Sequence, residues 1–348
     1  MNSGGHAAWT IGILGATGAV GRTFLDCLET APLQIARLAL TASPRSEGMR
    51  LPFRGVEQTV HAASMEQFEG CDLVLCSAGA RAAGEWAEPL AAAGMWVVDN
   101  SSRYRMDPRV PLIVPEVNRH RMPAADGSEG RLIANPNCST IQLAVALAPL
   151  DRRFGLRRVA VSTYQSAAGK GQVGIDAFRR EAQGETPPPG VFPTRLHENV
   201  IPQVDIFLDD GWSREEEKML NESRKILDRP DLPIHVTCVR VPVLRAHSEA
   251  VYVELERDFT LAEVEETLGG AEGIRLHGPN VETRYPTPYE AAGSDPVWIG
   301  RLRRDRTDPK GLYLWIVADN LRKGAALNAV QIAGALWRRA TMARASVA

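Results

Sequence analysis

The sequence predicts an α/β protein of two domains, a Rossmann-type doubly wound parallel sheet followed by an α+β domain built on a mixed sheet. The chain has 348 residues, more than one hydrophobic core usually serves, so two domains are expected. Its first third alternates short, continuous apolar runs with helical stretches, as strands buried on both faces of a parallel sheet require. Farther on, the apolar runs lengthen and become rich in β-branched residues, the mark of a different sheet.

Taken in order, residues 9–14 read as the first strand, followed by a glycine-rich turn and a helix over 20–29. Residues 35–41, 71–77 and 96–99 continue the strands, with a helix over 82–93 stopped by Gly94. Residues 139–150 read as a helix capped by a serine or threonine and ended by the turn Arg152-Arg153-Phe154-Gly155. Strands of the second sheet, mixed or antiparallel, are expected at 158–165, 234–241, 249–256 and 312–318. Between them, 186–190 is a proline-rich loop and 213–227 a charged helix. Ser213 is its N-cap, and Glu215, Glu216 and Glu217 lie in its first turn, where the helix dipole favours anions. Residues 320–339 have helical periodicity and end the fold. The domains are therefore 1–137, with a C-terminal helix at 320–345 packing back on it, and 138–319.

The chain is 44% hydrophobic and 24% charged with a net charge of −2, an ordinary globular balance that gives no reason to expect nucleic acid or another polyanion as partner. No run approaches the ~20 apolar residues of a membrane span, and the first eight residues lack the basic start and apolar run of a leader, so a cytoplasmic protein is expected. The five cysteines, Cys27, Cys71, Cys76, Cys138 and Cys238, are odd in number and scattered, with Cys71 and Cys76 inside one apparent strand. They indicate neither a disulfide framework nor a metal site.

Gly12-Ile13-Leu14-Gly15-Ala16-Thr17-Gly18-Ala19-Val20-Gly21 sets glycines between the first strand and first helix, where backbone must approach a diphosphate closely and helix amides face it. Gly15, Thr17, Gly18, Ala19 and Val20 are the candidate cofactor-binding residues. An acidic residue at the end of the second strand would mark NAD; the segment reads Thr41-Ala42-Ser43-Pro44-Arg45-Ser46 instead. A cation with hydroxyls there, Arg45 and Ser46, suits a ribose 2′-phosphate and hence NADP, the alternative for Arg45 being a solvated loop residue. Ile133-Ala134-Asn135-Pro136-Asn137-Cys138-Ser139-Thr140 sets Cys138 between a proline-stiffened loop and a helix N-terminus, which favours thiolate over thiol. A lone cysteine is more often a small buried apolar residue than a nucleophile.

Asn135-Pro136-Asn137-Cys138-Ser139-Thr140 resembles the active-site segment of the aspartate-semialdehyde dehydrogenases. The glycine turn also resembles that family, as do Asp99-Asn100-Ser101-Ser102, Val114-Pro115-Glu116-Val117-Asn118, Ser162-Thr163-Tyr164-Gln165, Ala246-His247-Ser248-Glu249 and Asp319-Asn320-Leu321-Arg322-Lys323-Gly324. The matches run in the family's order across residues 11–336. The resemblance implies reduction of L-aspartyl-4-phosphate to L-aspartate-4-semialdehyde by NADPH, in lysine, threonine, methionine and diaminopimelate biosynthesis. Cys138 would attack the acyl carbon, phosphate would leave, and hydride would reduce the resulting thioester. It further implies His247 as base and Gln165 as the residue orienting substrate or thioester carbonyl. Arg240 would take the substrate carboxylate, Glu222 its ammonium, and Arg105, Lys225 and Asn137 the phosphoryl group. Glu222 and Lys225, three apart on a helix, share one face.

Ala168, Gly169 and Asn320 match positions near the nicotinamide, although Ala168 stands where the family often has serine, so any contact there must come from backbone. The family is usually dimeric, with tetramers also known, and the second domain would carry both catalysis and dimerisation. Competing readings are an N-acetyl-γ-glutamyl-phosphate reductase, a reductase of coenzyme A thioesters, and a dinucleotide-binding homologue without catalysis.

Overall fold

The structure, a computed structural model, describes residues 8–124, 126–128, 130–277 and 285–345; residues 1–7, part of the stretch read against a leader, lie outside them. The chain divides into two compact units, one of residues up to Pro136 together with those from Ala325 on, the other spanning Asn137–Gly324.

In the first unit the strands are β1 (Trp9–Leu14), β2 (Ile35–Ala42), β3 (Arg50–Phe53), β4 (Val56–Ala62), β5 (Leu73–Cys76), β6 (Trp96–Asp99) and β7 (Leu132–Ala134). They form a seven-stranded sheet in the order β3-β4-β2-β1-β5-β6-β7. All neighbours are parallel except β3 and β4, an antiparallel pair at one edge. That hairpin went unread in the sequence because its alternation carries charges and half-buried residues rather than a continuous apolar run. Cys71 precedes β5 rather than lying within it. Helices α1 (Ala19–Thr30), α2 (Gly79–Ala92) and α3 (Pro115–Asn118) belong to this unit. The C-terminal helix Leu327–Ala345 packs against α1, and its Ala329, Val330, Ala333 and Leu336 join Ile11, Ile13, Phe24 and Leu28 in one core. The expected helix over 320–339 therefore begins later, after a π-helical turn at Arg322–Ala326.

Strand order reverses at β1, whose neighbours β2 and β5 lead away on opposite sides, and the glycine turn sits at that switch point, where doubly wound sheets bind ligands. Gly15 has φ +90°, and a Cβ there would stand 3.0 Å from the Ala78 nitrogen. At Gly21 a Cβ would lie 2.1 Å from the Gly15 carbonyl oxygen, so the absence of a side chain is what lets α1 start this close to β1. The turn is also tied to the end of β2: Thr41 O accepts from the nitrogens of Gly15 and Ala16 at 2.8 and 3.0 Å.

The second unit holds α4 (Cys138–Phe154), β8 (Leu156–Gln165), α5 (Gln172–Ala182), α6 (Arg214–Leu227), β9 (Ile234–Arg240), β10 (His247–Leu255), α7 (Leu261–Gly269), β11 (Ile274–Leu276), α8 (Pro288–Ala291), β12 (Val297–Arg304) and β13 (Gly311–Ala318). Its six-stranded sheet runs β11-β12-β13-β10-β8-β9, mixed because β8–β9 and β11–β12 are parallel while the other pairs are antiparallel. One face packs on α4, which is buried along nearly its whole length and is also contacted by α6 and α7. A helix apolar all round belongs in such a position. On the opposite face, Tyr252, Tyr313, Trp315, Arg301 and Arg303 line a cavity of about 720 Å³.

We predict that Gly21→Ala destabilises the chain by about 1–3 kcal/mol, as forced overpacking does. Gly18→Ala, whose Cβ would meet only the Gly15 oxygen at 3.5 Å, should leave stability near the parent. Urea denaturation followed by circular dichroism decides; equal midpoints for the two variants would refute this account of the turn.

Candidate active site

Helix α4 starts at Cys138, not at the serine after it, and its cap is Asn137 rather than a serine or threonine. Asn137 is extended, and its Oδ1 accepts from the nitrogens of Ser139 and Thr140 at 3.0 and 3.3 Å. The same residue is braced from α6: its backbone nitrogen donates to Glu222 at 2.6 Å and its Nδ2 to Glu215 at 2.8 Å. Ser213 and Glu216 form the capping box that opens α6, so both acids are delivered by a helix with a fixed start. Cys138 is half-buried, whereas the other four cysteines are buried. Burial pushes the Cys71 thiol up to about 11 and raises Cys76 and Cys238 further. Cys138 is thus the accessible thiol, and it stands on the first turn of a capped, buried helix.

Sheet register gathers three of the other candidate residues. Gln165, the last residue of β8, pairs with Arg240, the last of β9. On the other side of β8, Ser248 pairs with Tyr164, which sets His247 level with Gln165. Arg240, Gln165 and His247 therefore form a buried row across three strands. Arg240 donates from Nη1 to Ser166 O at 2.7 Å, and burial lowers its pKa while Glu215 acts in the opposite direction. Gln165 donates from Nε2 to Glu215 at 3.3 Å. His247 receives the Ser166 N–H on Nδ1 at 3.0 Å, and its Nε2 is buried without a protein partner among the described residues. Burial, and secondarily the Arg240 guanidinium, push this imidazole down to about 3. Two residues farther from that end of the sheet, on the same face, Cys238, Thr163 and Glu249 make a second buried row. There, burial raises Glu249 well above the usual carboxylate range, with Gln142 of α4 acting in the opposite direction.

Lys225 is half-buried on α6, one turn from the buried Glu222. Ala168 and Gly169 lie in a 3₁₀ turn, and a Cβ on Gly169 would come within 2.5 Å of Arg240 Nη1 and 3.2 Å of His247 Nε2. Asn320 Oδ1 accepts from Ala246 N at 3.0 Å and from Ser166 Oγ at 3.2 Å. In the first unit, Thr17 Oγ1 and Ser46 Oγ meet at 3.2 Å beside the exposed Arg45. Gly18 caps α1 without a side-chain bond, followed by Ala19 and Val20 in the first turn. Arg105 is buried there, donating to the carbonyls of Asn135 and Asn100 at 2.9 Å each.

Sequence reasoning assigned no role to Glu215, Ser166 or Gly324. In the sequence Glu215 is only a first-turn acid, and its reach to Asn137 and Gln165 follows from helix packing. A Cβ on Gly324 would lie 2.9 Å from Cys138 Cβ, a close approach that the glycine ending Asp319-Asn320-Leu321-Arg322-Lys323-Gly324 hints at without naming the partner. No group of three or more His, Cys, Asp or Glu residues that could hold a metal occurs among the described residues. Nor is any described helix long and apolar enough to cross a membrane.

Two family descriptions match: "Semialdehyde dehydrogenase, NAD binding domain" over residues 10–125 and "Semialdehyde dehydrogenase, dimerisation domain" over residues 147–323. Aspartate-semialdehyde dehydrogenase from Aquifex aeolicus is 45% identical over 93% of this chain and 97% of its own. The chain belongs to the aspartate-semialdehyde dehydrogenase family. The family's Bacillus subtilis member is 41% identical over 97% of this chain and 98% of its own. Aspartate semialdehyde dehydrogenase II of Vibrio cholerae, solved in complex with ASA, superposes with a TM-score of 0.88 at 41% identity, covering 95% of this chain and 99% of that one. The fold extends to a Candida albicans member solved with NADP, at 24% identity and a TM-score of 0.76, with 96% and 100% coverage. Family members are NAD(P)-dependent oxidoreductases, and the dinucleotide-binding domain is present here.

The buried imidazole gives a pH prediction. The unfolded chain takes up the His247 proton near 6.5, whereas the folded ring resists it down to about 3. Between those values the unfolded state binds more protons, so stability falls as pH drops through that window. His247→Gln should lose less stability than the parent between pH 7 and pH 5; equal losses in urea titrations would show that His247 is not the group responsible.

Proposed function

We propose that this chain reduces L-aspartyl-4-phosphate to L-aspartate-4-semialdehyde with release of phosphate, through a thioester on Cys138. The observation that carries this reading is the buried row Arg240–Gln165–His247 in the same unit as a half-buried cysteine on a capped helix. The thiolate attacks the acyl carbon and expels phosphate; a soft nucleophile that is also a good leaving group makes both halves easy. The reduced nicotinamide, when bound, supplies the hydride. Gln165, held by Glu215, directs its amide toward the thioester oxygen. Arg240 takes the substrate carboxylate in a two-pronged contact, and Glu222 takes its ammonium.

Lys225 and Arg105 bind the phosphoryl group. Asn137 keeps one N–H of its Nδ2 on Glu215 and can offer the other to the phosphoryl group, while its Oδ1 caps α4. Gly169 allows Arg240 and His247 to lie against the backbone at the nicotinamide end, with Ala168 contributing backbone alone. Asn320 takes part there through the hydrogen bonds it makes to Ser166 and Ala246.

NADP is the proposed cofactor. Gly15 and Gly18 let backbone approach the diphosphate, the first turn of α1 with Ala19 and Val20 supplies amides, and Thr17 and Ser46 present hydroxyls beside Arg45. The proposed assembly is a homodimer through the open face of the six-stranded sheet, where Tyr252, Tyr313 and Trp315 leave an apolar surface, in keeping with the dimerisation-domain match.

The test is phosphate-dependent reduction of NADP with L-aspartate-4-semialdehyde, N-acetylglutamate semialdehyde serving as control. We expect activity on the first aldehyde alone, at least ~10⁴-fold lower in Cys138→Ala, and a preference for NADP over NAD that shrinks in Arg45→Ala. Activity confined to the second aldehyde, or an active Cys138→Ala, would sink the reading. Light scattering should give twice the chain mass; a monomer at micromolar concentration would remove the proposed interface.

A further inference from the structure

Two groups meet the His247 ring: the Ala246 backbone, which favours its protonated form, and Ser166 at Nδ1. Ser166 places its backbone N–H 3.0 Å from that nitrogen and its Oγ 3.2 Å from it. An N–H can only donate, so while it occupies Nδ1 the neutral ring carries its proton on Nε2. In that state Nε2 can steady an oxygen or a thiolate, but it has no lone pair with which to take a proton from a thiol. Taking one requires the ring proton on Nδ1, and an Nδ1–H needs an acceptor.

The Ser166 hydroxyl is placed to be that acceptor. Its own proton goes to Asn320 Oδ1 at 3.2 Å, which leaves the oxygen lone pairs for the ring. Asn320 is itself fixed, since Oδ1 also accepts from Ala246 N at 3.0 Å and Ala246 is in the left-handed region with φ 71°. Ser166 and His247 are fully buried and Asn320 is 3% exposed, so solvent is a poor substitute for the hydroxyl. Ser166 O meanwhile accepts from Arg240, the cation acting on the ring from β9.

We propose that Ser166, anchored by Asn320, is a positioning residue that lets the His247 ring proton sit on either nitrogen, so that the ring can both take and return the Cys138 proton. This rests on the thioester reading above. The S–H bond of Cys138 breaks, its proton joins Nε2, and sulfur keeps the electron pair, while Nδ1–H is donated to Ser166 Oγ. After the thioester is reduced, the Nε2 proton passes to the oxygen of the tetrahedral adduct. It returns to Nε2 as the C–S bond breaks, the aldehyde forms and the thiolate is released. Substrate carboxylate on Arg240 offsets the guanidinium charge that opposes a charged ring, so proton uptake is favoured once substrate is bound.

The experiment compares Ser166→Ala with the parent by steady-state kinetics and by the pH dependence of Cys138 alkylation with iodoacetamide, the other four cysteines being buried. Ser166→Ala keeps the backbone N–H and loses only the hydroxyl. It should lower kcat about 10- to 100-fold, the lower part of what a positioned acid–base group contributes, with KM little changed. The alkylation midpoint should rise by roughly one pH unit, because without an acceptor for Nδ1–H the ring less readily takes the Cys138 proton. Ser166→Thr, which restores a hydroxyl, should move both readouts back toward the parent. Parental kcat in Ser166→Ala, or lowered kcat with an unmoved alkylation profile, overturns the proposal. Should Ser166→Ala fail to fold, Asn320→Ala removes the hydroxyl's anchor and must shift the alkylation profile the same way; a parental profile there overturns it too. A parent inactive on the aldehyde would defeat the proposed function, whereas an active parent with an unaltered Ser166→Ala defeats only this inference.

Discussion

The second unit depends on how one helix begins. Asn137 turns its own carboxamide oxygen onto the first free amides of α4, and two acids from α6 take its backbone N–H and one N–H of its Nδ2. Uncapped amides at the end of a helix this deeply buried would be costly to leave without partners. The cap therefore fixes where α4 starts, and Cys138 is its first residue. Gly324, whose missing side chain leaves room beside the cysteine, completes the constraint from the other direction.

The sheet supplies the second half of the arrangement. Strand register is all or nothing, because a slip of one residue sends every side chain to the other face. Arg240, Gln165 and His247 sit in one row because β8, β9 and β10 are locked in register over most of their length. The packed row behind them, with Thr163, Cys238 and Glu249, is fully buried and in the same register. Burial that makes the row rigid also sets its charge state: His247 is neutral, and Arg240 is kept in place by a backbone carbonyl and by the charge of Glu215. A neutral histidine beside a fixed cation suits the proposed substrate, which bears carboxylate and phosphoryl groups.

Much of this was legible in the residues. Continuous apolar runs located β1, β2, β5 and β6, and the glycine pattern located the turn between β1 and α1, because buried parallel strands and tight strand-to-helix turns leave few choices of residue type. Ser213 and its acidic first turn announced α6. The edge hairpin β3–β4 did not announce itself, since a half-exposed edge carries too little apolar periodicity. The start of α4 was misplaced by one residue because Asn137, Ser139 and Thr140 are all able caps in sequence and only the fold selects among them.

Local chemistry by itself determined the doubly wound architecture, the phosphate-type turn, the cysteine at a helix start and, through resemblance, the family. Those features are written in short stretches whose backbone demands particular residues. Tertiary structure alone decided which partners each group has: that Glu215 holds Asn137 and Gln165, that Gly324 abuts Cys138, and that both the nitrogen and the hydroxyl of Ser166 meet His247. These pairs are tens of residues or more apart in the chain, and no local pattern records a contact that exists only when two elements pack.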